Sequence, residues 1–295
     1  MLAEPIVGAS SAGPILKIME NNNLEKENRV KSCQKYMLIL LKFLHNICVE
    51  NNIKYTLEAG TLIGAIRDKG FIPWDDDSDV TLIREDYEKL IKVLKTTKLP
   101  DGIAIYYPIE KKEFLDFNLR LYYKDVVIRD DESSANEYDG VFMHPTLDIY
   151  VMDHVPESAF KRRIFVLKQQ ILFGLAMSKR NSITLDKYKN IEQIAIRVLS
   201  KVGKLFSLKT IVAMQEKAAK KYLGKNVKNL YCTGWPPEFP GWLYKKELYE
   251  KVHLTEFEDT KFYAIDAYEE VLTYGYGKWR TPIKTHDHDN FIENL

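Results

Sequence analysis

Three consecutive acids and a fourth two positions on, Asp75, Asp76, Asp77 and Asp79, run straight into the apolar stretch Val-Thr-Leu-Ile at 80–83. Few folds tolerate that arrangement. On an extended strand, side chains two apart share a face, so Asp77 and Asp79 point the same way and Ser78 points opposite. Two carboxylates about 4 Å apart repel by roughly 4 kcal/mol at an effective dielectric near 20. A divalent cation between them resolves the repulsion, and such a cation commonly holds phosphate oxygens as well. A solvated acidic loop is the ordinary reading of a charge run. These acids, however, sit between Trp74 and an apolar strand, not in a polar linker. A further acid, Asp148, lies on the apolar run Thr-Leu-Asp-Ile-Tyr-Val-Met at 146–152, where a lone buried carboxylate is costly. Asp77, Asp79 and Asp148 are therefore the expected metal ligands.

Gly60 and Thr61 mark a turn ahead of the acids. Backbone N–H groups approach phosphate oxygens closely only where no Cβ intrudes. Thr61 adds a hydroxyl at the start of a short helix, where the dipole favours an anion. Arg67 and Lys69 are candidates to hold a diphosphate, Arg being the better bidentate partner; ordinary surface charge explains them equally well. Trp74, Tyr274, Tyr276, Trp279, Trp235 and Trp242 are candidate faces for a quaternary ammonium group, although packing is the usual role of any single aromatic residue.

The Asp77-Ser78-Asp79 pair, the upstream Gly-Thr turn and the later strand acid together resemble the polymerase-β-like nucleotidyltransferases. The longer string GTLIGAIRDKGFIPWDDDSDV at 60–80 closely resembles the LicD family of phosphotransferases, which reads GTLLGAxRxxGFIPWDDDIDV there. That family includes bacterial phosphorylcholine transferases and, more distantly, fukutin-type proteins. Its second element, an acid-bearing strand, corresponds to LDIYVMD at 147–153, and its third to Tyr276-Gly277 with Pro282 and His286. The resemblance implies a metal-dependent transfer of phosphocholine from CDP-choline to a sugar hydroxyl of a teichoic acid or other surface glycan precursor, releasing CMP. It implies Mg²⁺ or Mn²⁺ at Asp77, Asp79 and Asp148, with Asp148 also placed to accept the hydroxyl proton, and a substrate role for His286. Two departures stand out. Ser78 replaces an apolar residue and needs a polar partner on the core-facing side, and Tyr150-Val151-Met152 replaces Phe-Pro-Leu. A polyol-phosphate or sugar-phosphate cargo on another CDP-linked donor is the nearest alternative, and a non-catalytic glycan- or membrane-docking protein is the alternative from a different class.

Helical spacing of apolar residues predicts helices over 29–50, 84–97, 160–176, 191–206, 208–223 and 266–274, and a brief one over 60–67. Strands are expected at 53–57, 77–83, 103–107, 117–123, 126–129 and 146–152. The expected class is α/β (α+β): a nucleotidyltransferase-like mixed sheet with flanking helices over 29–155, a basic helical region over 156–230, and an aromatic C-terminal segment over 231–295 that completes the substrate pocket. Residues 1–28 read as a flexible leader. The net charge of +1 conceals a strong asymmetry, because residues 156–230 hold 17 Lys or Arg against 4 acids, leaving −12 on the remainder. No stacking-aromatic pattern accompanies this charge, which argues against nucleic acid. Peripheral contact with an anionic membrane surface or a polyanionic glycan fits better. The three scattered cysteines lack metal-site spacing, and a reducing cytoplasm is the expected compartment.

Overall fold

The computed structural model describes residues 13–128, 138–180, 183, 185, 189–234 and 243–282. Helix α1 (Gly13–Glu50) buries Met37, Leu40, Leu41, Leu44 and Cys48 at the three- and four-residue spacing of one helical face. It stops at Asn52, whose φ of 51° is a left-handed conformation that asparagine tolerates, and the Ile53 amide then donates to the Cys48 carbonyl. β1 (Thr56–Leu57), α2 (Ala59–Arg67), β2 (Asp79–Ile83) and α3 (Arg84–Thr96) follow, then β3 (Ile103–Tyr106), β4 (Leu119–Tyr123) and β5 (Thr146–Val155).

These strands form one mixed sheet in the order β1-β2-β5-β4-β3. β2 and β5 are parallel, and β1, β3 and β4 are attached in antiparallel fashion. The sheet continues through β6 (Asn229–Cys232), which pairs with the far half of β5, and β7 (Tyr244–Lys245), which pairs with β6. That extra pairing is why β5 runs three residues beyond the apolar pattern. No strand forms over 126–128, where Ile128 donates once to Met143 without entering a ladder; Arg129 lies outside the described residues.

Helices α4 (Ala159–Ala176), α5 (Asn190–Gly203) and α6 (Leu208–Ala219) follow and hold 8 of the 17 Lys or Arg of residues 156–230, 4 of them on α4. Leu172 and Phe173 of α4, Ile196 of α5, and Ile211 and Val212 of α6 share a buried cluster with Phe114 and Phe117, on the segment before β4. A buried ion pair ties this region to the sheet. Arg84 donates to both oxygens of Asp153 on β5, at 2.8 and 2.6 Å, and its guanidinium also lies 3.6 Å from Glu216 of α6.

A hairpin of β8 (Val252–Phe257) and β9 (Thr260–Ile265), absent from the sequence expectation, packs Phe257 and Phe262 into the main core with Phe71. α7 (Tyr268–Tyr276) closes the described chain and ends at Gly277, whose φ of 59° suits a residue without a Cβ.

Candidate functional site

The acids meet at the start of the parallel pair. Asp79 and Asp148 are register partners on β2 and β5, so their side chains leave the same face of the sheet side by side. Backbone bonds fix the junction: the Asp148 amide donates to the Ser78 carbonyl at 2.8 Å, and the Glu58 amide to the Asp79 carbonyl at 3.0 Å. Ser78 turns inward and donates to the Thr146 carbonyl at 2.8 Å, the polar partner its position requires. Burial raises the Asp79 carboxyl well above the carboxylate range, and the charges of Asp77, Asp148, Asp75 and Glu58 push the same way. Asp148 is pushed up to about 6, chiefly by burial, with Arg120 pulling in the opposite direction.

Arg120 and Asp116 are site residues that sequence reasoning missed. Arg120 is the register partner of Asp148 on β4 and is 3% exposed. Its guanidinium donates to Asp116 at 2.8 and 2.5 Å and to Asp148 Oδ2 at 3.0 Å, and its Nε lies 2.7 Å from Asp148 Oδ1. It also stacks near Tyr106 and Phe142, 5.9 and 5.6 Å from the ring centroids. Tyr150, one pleat beyond Asp148, donates to Asp148 Oδ2 at 3.3 Å. The basic helical region braces this group from behind. Arg180, just past α4, donates to the Leu115 carbonyl beside Asp116, and the Phe114 amide donates back to the Lys179 carbonyl.

Glu58 is the other missed residue. It stands between β1 and α2, is 4% exposed, and its Oε2 has no hydrogen-bond partner among the described residues. Burial pushes its carboxyl up to about 7. Tyr244, Tyr249 and Tyr276 lie close enough for its charge to help hold their phenols protonated. Tyr276 also feels Asp79, Asp77 and Asp75, which places this predicted residue at the acid cluster.

The turn into α2 serves the acids directly. Thr61 is fully buried, and its hydroxyl accepts from the Asp79 amide at 2.9 Å. A Cβ on Gly60 would lie 2.7 Å from Asp75 Oδ2, so the space glycine leaves holds that carboxylate. The loop ahead of the acids is pinned to α1: Gln34 donates to the carbonyls of Ile72 and Asp75, both at 2.9 Å. Trp74 sits half-buried in that loop.

Arg67 and Lys69 are at and beyond the other end of α2, roughly 10 Å along the axis at ~1.5 Å per residue. Arg67 is engaged by Asp68 and the Trp279 carbonyl, while the Lys69 backbone carbonyl accepts from the Glu258 amide and Lys69 lines a surface pocket with His45 and the β8–β9 hairpin. Trp279 is 5% exposed within the main core and donates to Thr273 at 3.3 Å. His286, Trp235 and Trp242 lie outside the described residues.

Among the described residues, no three Asp, Glu, His or Cys side chains close into a cation cage by themselves. The donors at hand are all oxygen, and two of them, Asp79 and Asp148, are in register. That set fits a hard cation such as Mg²⁺, which takes one or two carboxylates and completes its shell with waters and substrate phosphates.

Residues 52–190 match the family model described as LicD/FKTN/FKRP, nucleotidyltransferase domain. The chain is 29% identical over 259 residues to the lipopolysaccharide cholinephosphotransferase LicD of Haemophilus influenzae, covering 86% of this chain and 92% of that protein. It is also 35% identical over 109 residues to an uncharacterised protein of Rickettsia prowazekii, covering 34% of this chain and 41% of the other.

Proposed function

We propose that this chain, a member of the LicD family, is a phosphotransferase that moves phosphocholine from CDP-choline to a sugar hydroxyl of a surface glycan such as lipopolysaccharide or a teichoic acid precursor. The observation that carries this reading is the register of Asp79 with Asp148, two carboxylates projecting together from adjacent parallel strands. Arg120 offsets the charge of Asp148, and a cation arriving with the substrate would offset that of Asp79.

In the reaction, the sugar oxygen attacks the phosphorus that bears choline, the bond to the CMP oxygen breaks, and the hydroxyl proton passes to a base. Asp148 is the residue placed to be that base by position, at the head of β5 in register with Asp79. Arg120 holds it in place and balances its charge. Asp79 and Asp148, with Asp77 beside them, would hold Mg²⁺ or Mn²⁺. The bound ion would neutralise the diphosphate and stabilise the departing CMP. Tyr276, near enough for the acids' charges to reach its phenol, is the aromatic residue proposed to meet the donor. With only Asp79 and Asp148 in register, the cation would need further oxygen ligands from substrate or water, so its binding should depend on the nucleotide.

A thermal-shift comparison of CDP-choline, CDP-ribitol, CDP-glycerol and CTP, each with and without Mg²⁺, tests this. Stabilisation by CDP-choline that requires Mg²⁺ is expected. A response confined to CDP-ribitol or CDP-glycerol would change the cargo, and no response to any of them would overturn the reading.

A further inference from the structure

The basic helices expose far more apolar surface than folding explains. On α4, Phe160, Ile164, Leu167 and Ile171 follow one another at spacings of four, three and four, and all are exposed, Phe160 at 73%. They form a stripe on the side opposite the buried Phe165, Leu172 and Phe173. α5, packed against α4, repeats the pattern with Ile191, Ile194, Val198 and Val202, Ile191 being 82% exposed. Leu205 extends it at 81% exposure.

Cations flank both stripes. Lys161, Arg163 and Lys168 are exposed on α4, and Arg197, Lys201 and Lys204 on or just after α5. α4 carries no acid, and α5 carries only Glu192. We propose that α4 and α5 together form a docking face that lies flat on an anionic phospholipid bilayer, its apolar stripes entering the headgroup boundary and its cations meeting lipid phosphates.

Two observations favour this occupant. Apolar stripes flanked by Lys and Arg are the make-up of helices that lie in the membrane interface. A second copy of the chain docking on the same face would bring like charges together, because a two-fold contact pairs a surface with itself. The bilayer contact is peripheral: among the described residues, no helix is long and apolar enough to cross a membrane.

Flotation of the full chain with phosphatidylethanolamine vesicles, with and without phosphatidylglycerol, tests the proposal. These vesicles lack choline, so the donor chemistry proposed above plays no part. Binding is expected only with phosphatidylglycerol and should weaken as salt is added. Leu167→Glu combined with Val198→Glu should lower partitioning about tenfold or more, a loss of at least about 1.4 kcal/mol, since each removes an apolar insertion. Its melting temperature should match the parent's, because both side chains are exposed. Lys161→Ala with Lys168→Ala should reduce binding while leaving the apolar stripe intact. Equal partitioning of parent and Leu167→Glu/Val198→Glu would overturn the proposal. So would a parent that ignores both vesicles, or a dimer in sedimentation that the same double substitution dissolves without any vesicle binding.

Discussion

Glu58 gives the most direct test of how the acid cluster is built. Burial pushes its carboxyl from the ordinary 4.5 up to about 7, partly offset by the neighbouring Thr81 hydroxyl and Ala59 amide. The folded chain therefore holds this proton more tightly than the unfolded chain. Below pH 4.5 both states are protonated, and the group costs nothing. Between 4.5 and about 7 the unfolded chain ionises first, so stability falls as pH rises; above that range the loss is complete. At about 1.36 kcal/mol for each tenfold change in proton affinity, the penalty reaches about 3 kcal/mol. Glu58→Gln keeps the shape and removes the charge. Urea unfolding of parent and variant across this pH range, with a chelator present, should give equal stability at the acidic end. The variant should gain up to about 3 kcal/mol at the alkaline end. Two profiles that run parallel at all pH values would refute the argument.

Asp79→Asn should cut CMP release by at least about a hundredfold, the scale on which loss of one preorganised charge contact is felt. The melting temperature should nevertheless hold or rise, because the substitution relieves repulsion among buried carboxylates. Arg120→Met leaves Asp116 and Asp148 buried without their cation and should destabilise by about 3–5 kcal/mol in denaturant unfolding; adding Asp116→Asn should recover part of that loss. Gly60→Ala puts a Cβ 2.7 Å from Asp75 Oδ2, the far end of a flexible side chain that can swing aside, so denaturant unfolding should show little loss of stability while the displaced carboxylate weakens donor binding by titration calorimetry.

The elements around the acids were legible because their apolar spacing is regular: helices beginning near Arg84, Ala159 and Leu208, and strands through Asp79 and Asp148, lie within a few residues of the pattern. The β8–β9 hairpin was not, since Val252–Phe257 and Thr260–Ile265 mix charged residues with aromatics and turn at Glu258, a non-glycine residue with a φ of 53°. Arg120 in Leu-Arg-Leu-Tyr-Tyr looks like the polar half of an ordinary alternating strand, and only the register of β4 against β5 brings it onto Asp148. Glu58 is a single acid after Thr56-Leu57, with no motif to mark it. Arg67 and Lys69 lie close in sequence to the Gly-Thr turn, but a helix turns sequence distance into axial distance, so they end at the far end of α2.

β5 carries Asp148 near its beginning and passes to α4 only a few residues after Val155. From Asp148 to the end of that strand is roughly 20 Å at ~3.3 Å per residue. α4 returns alongside that strand: Phe165 and Val166 pack with Val155 at its end, and Arg180, just past the helix, holds the Leu115 carbonyl beside Asp116. With α4 flat on a lipid leaflet, as proposed above, β5 would run along the leaflet, and the carboxylates would stay within a helix-and-sheet layer of the headgroups. Sugars close to a lipid anchor would then come within reach, and those far along a growing chain would have to fold back to be decorated.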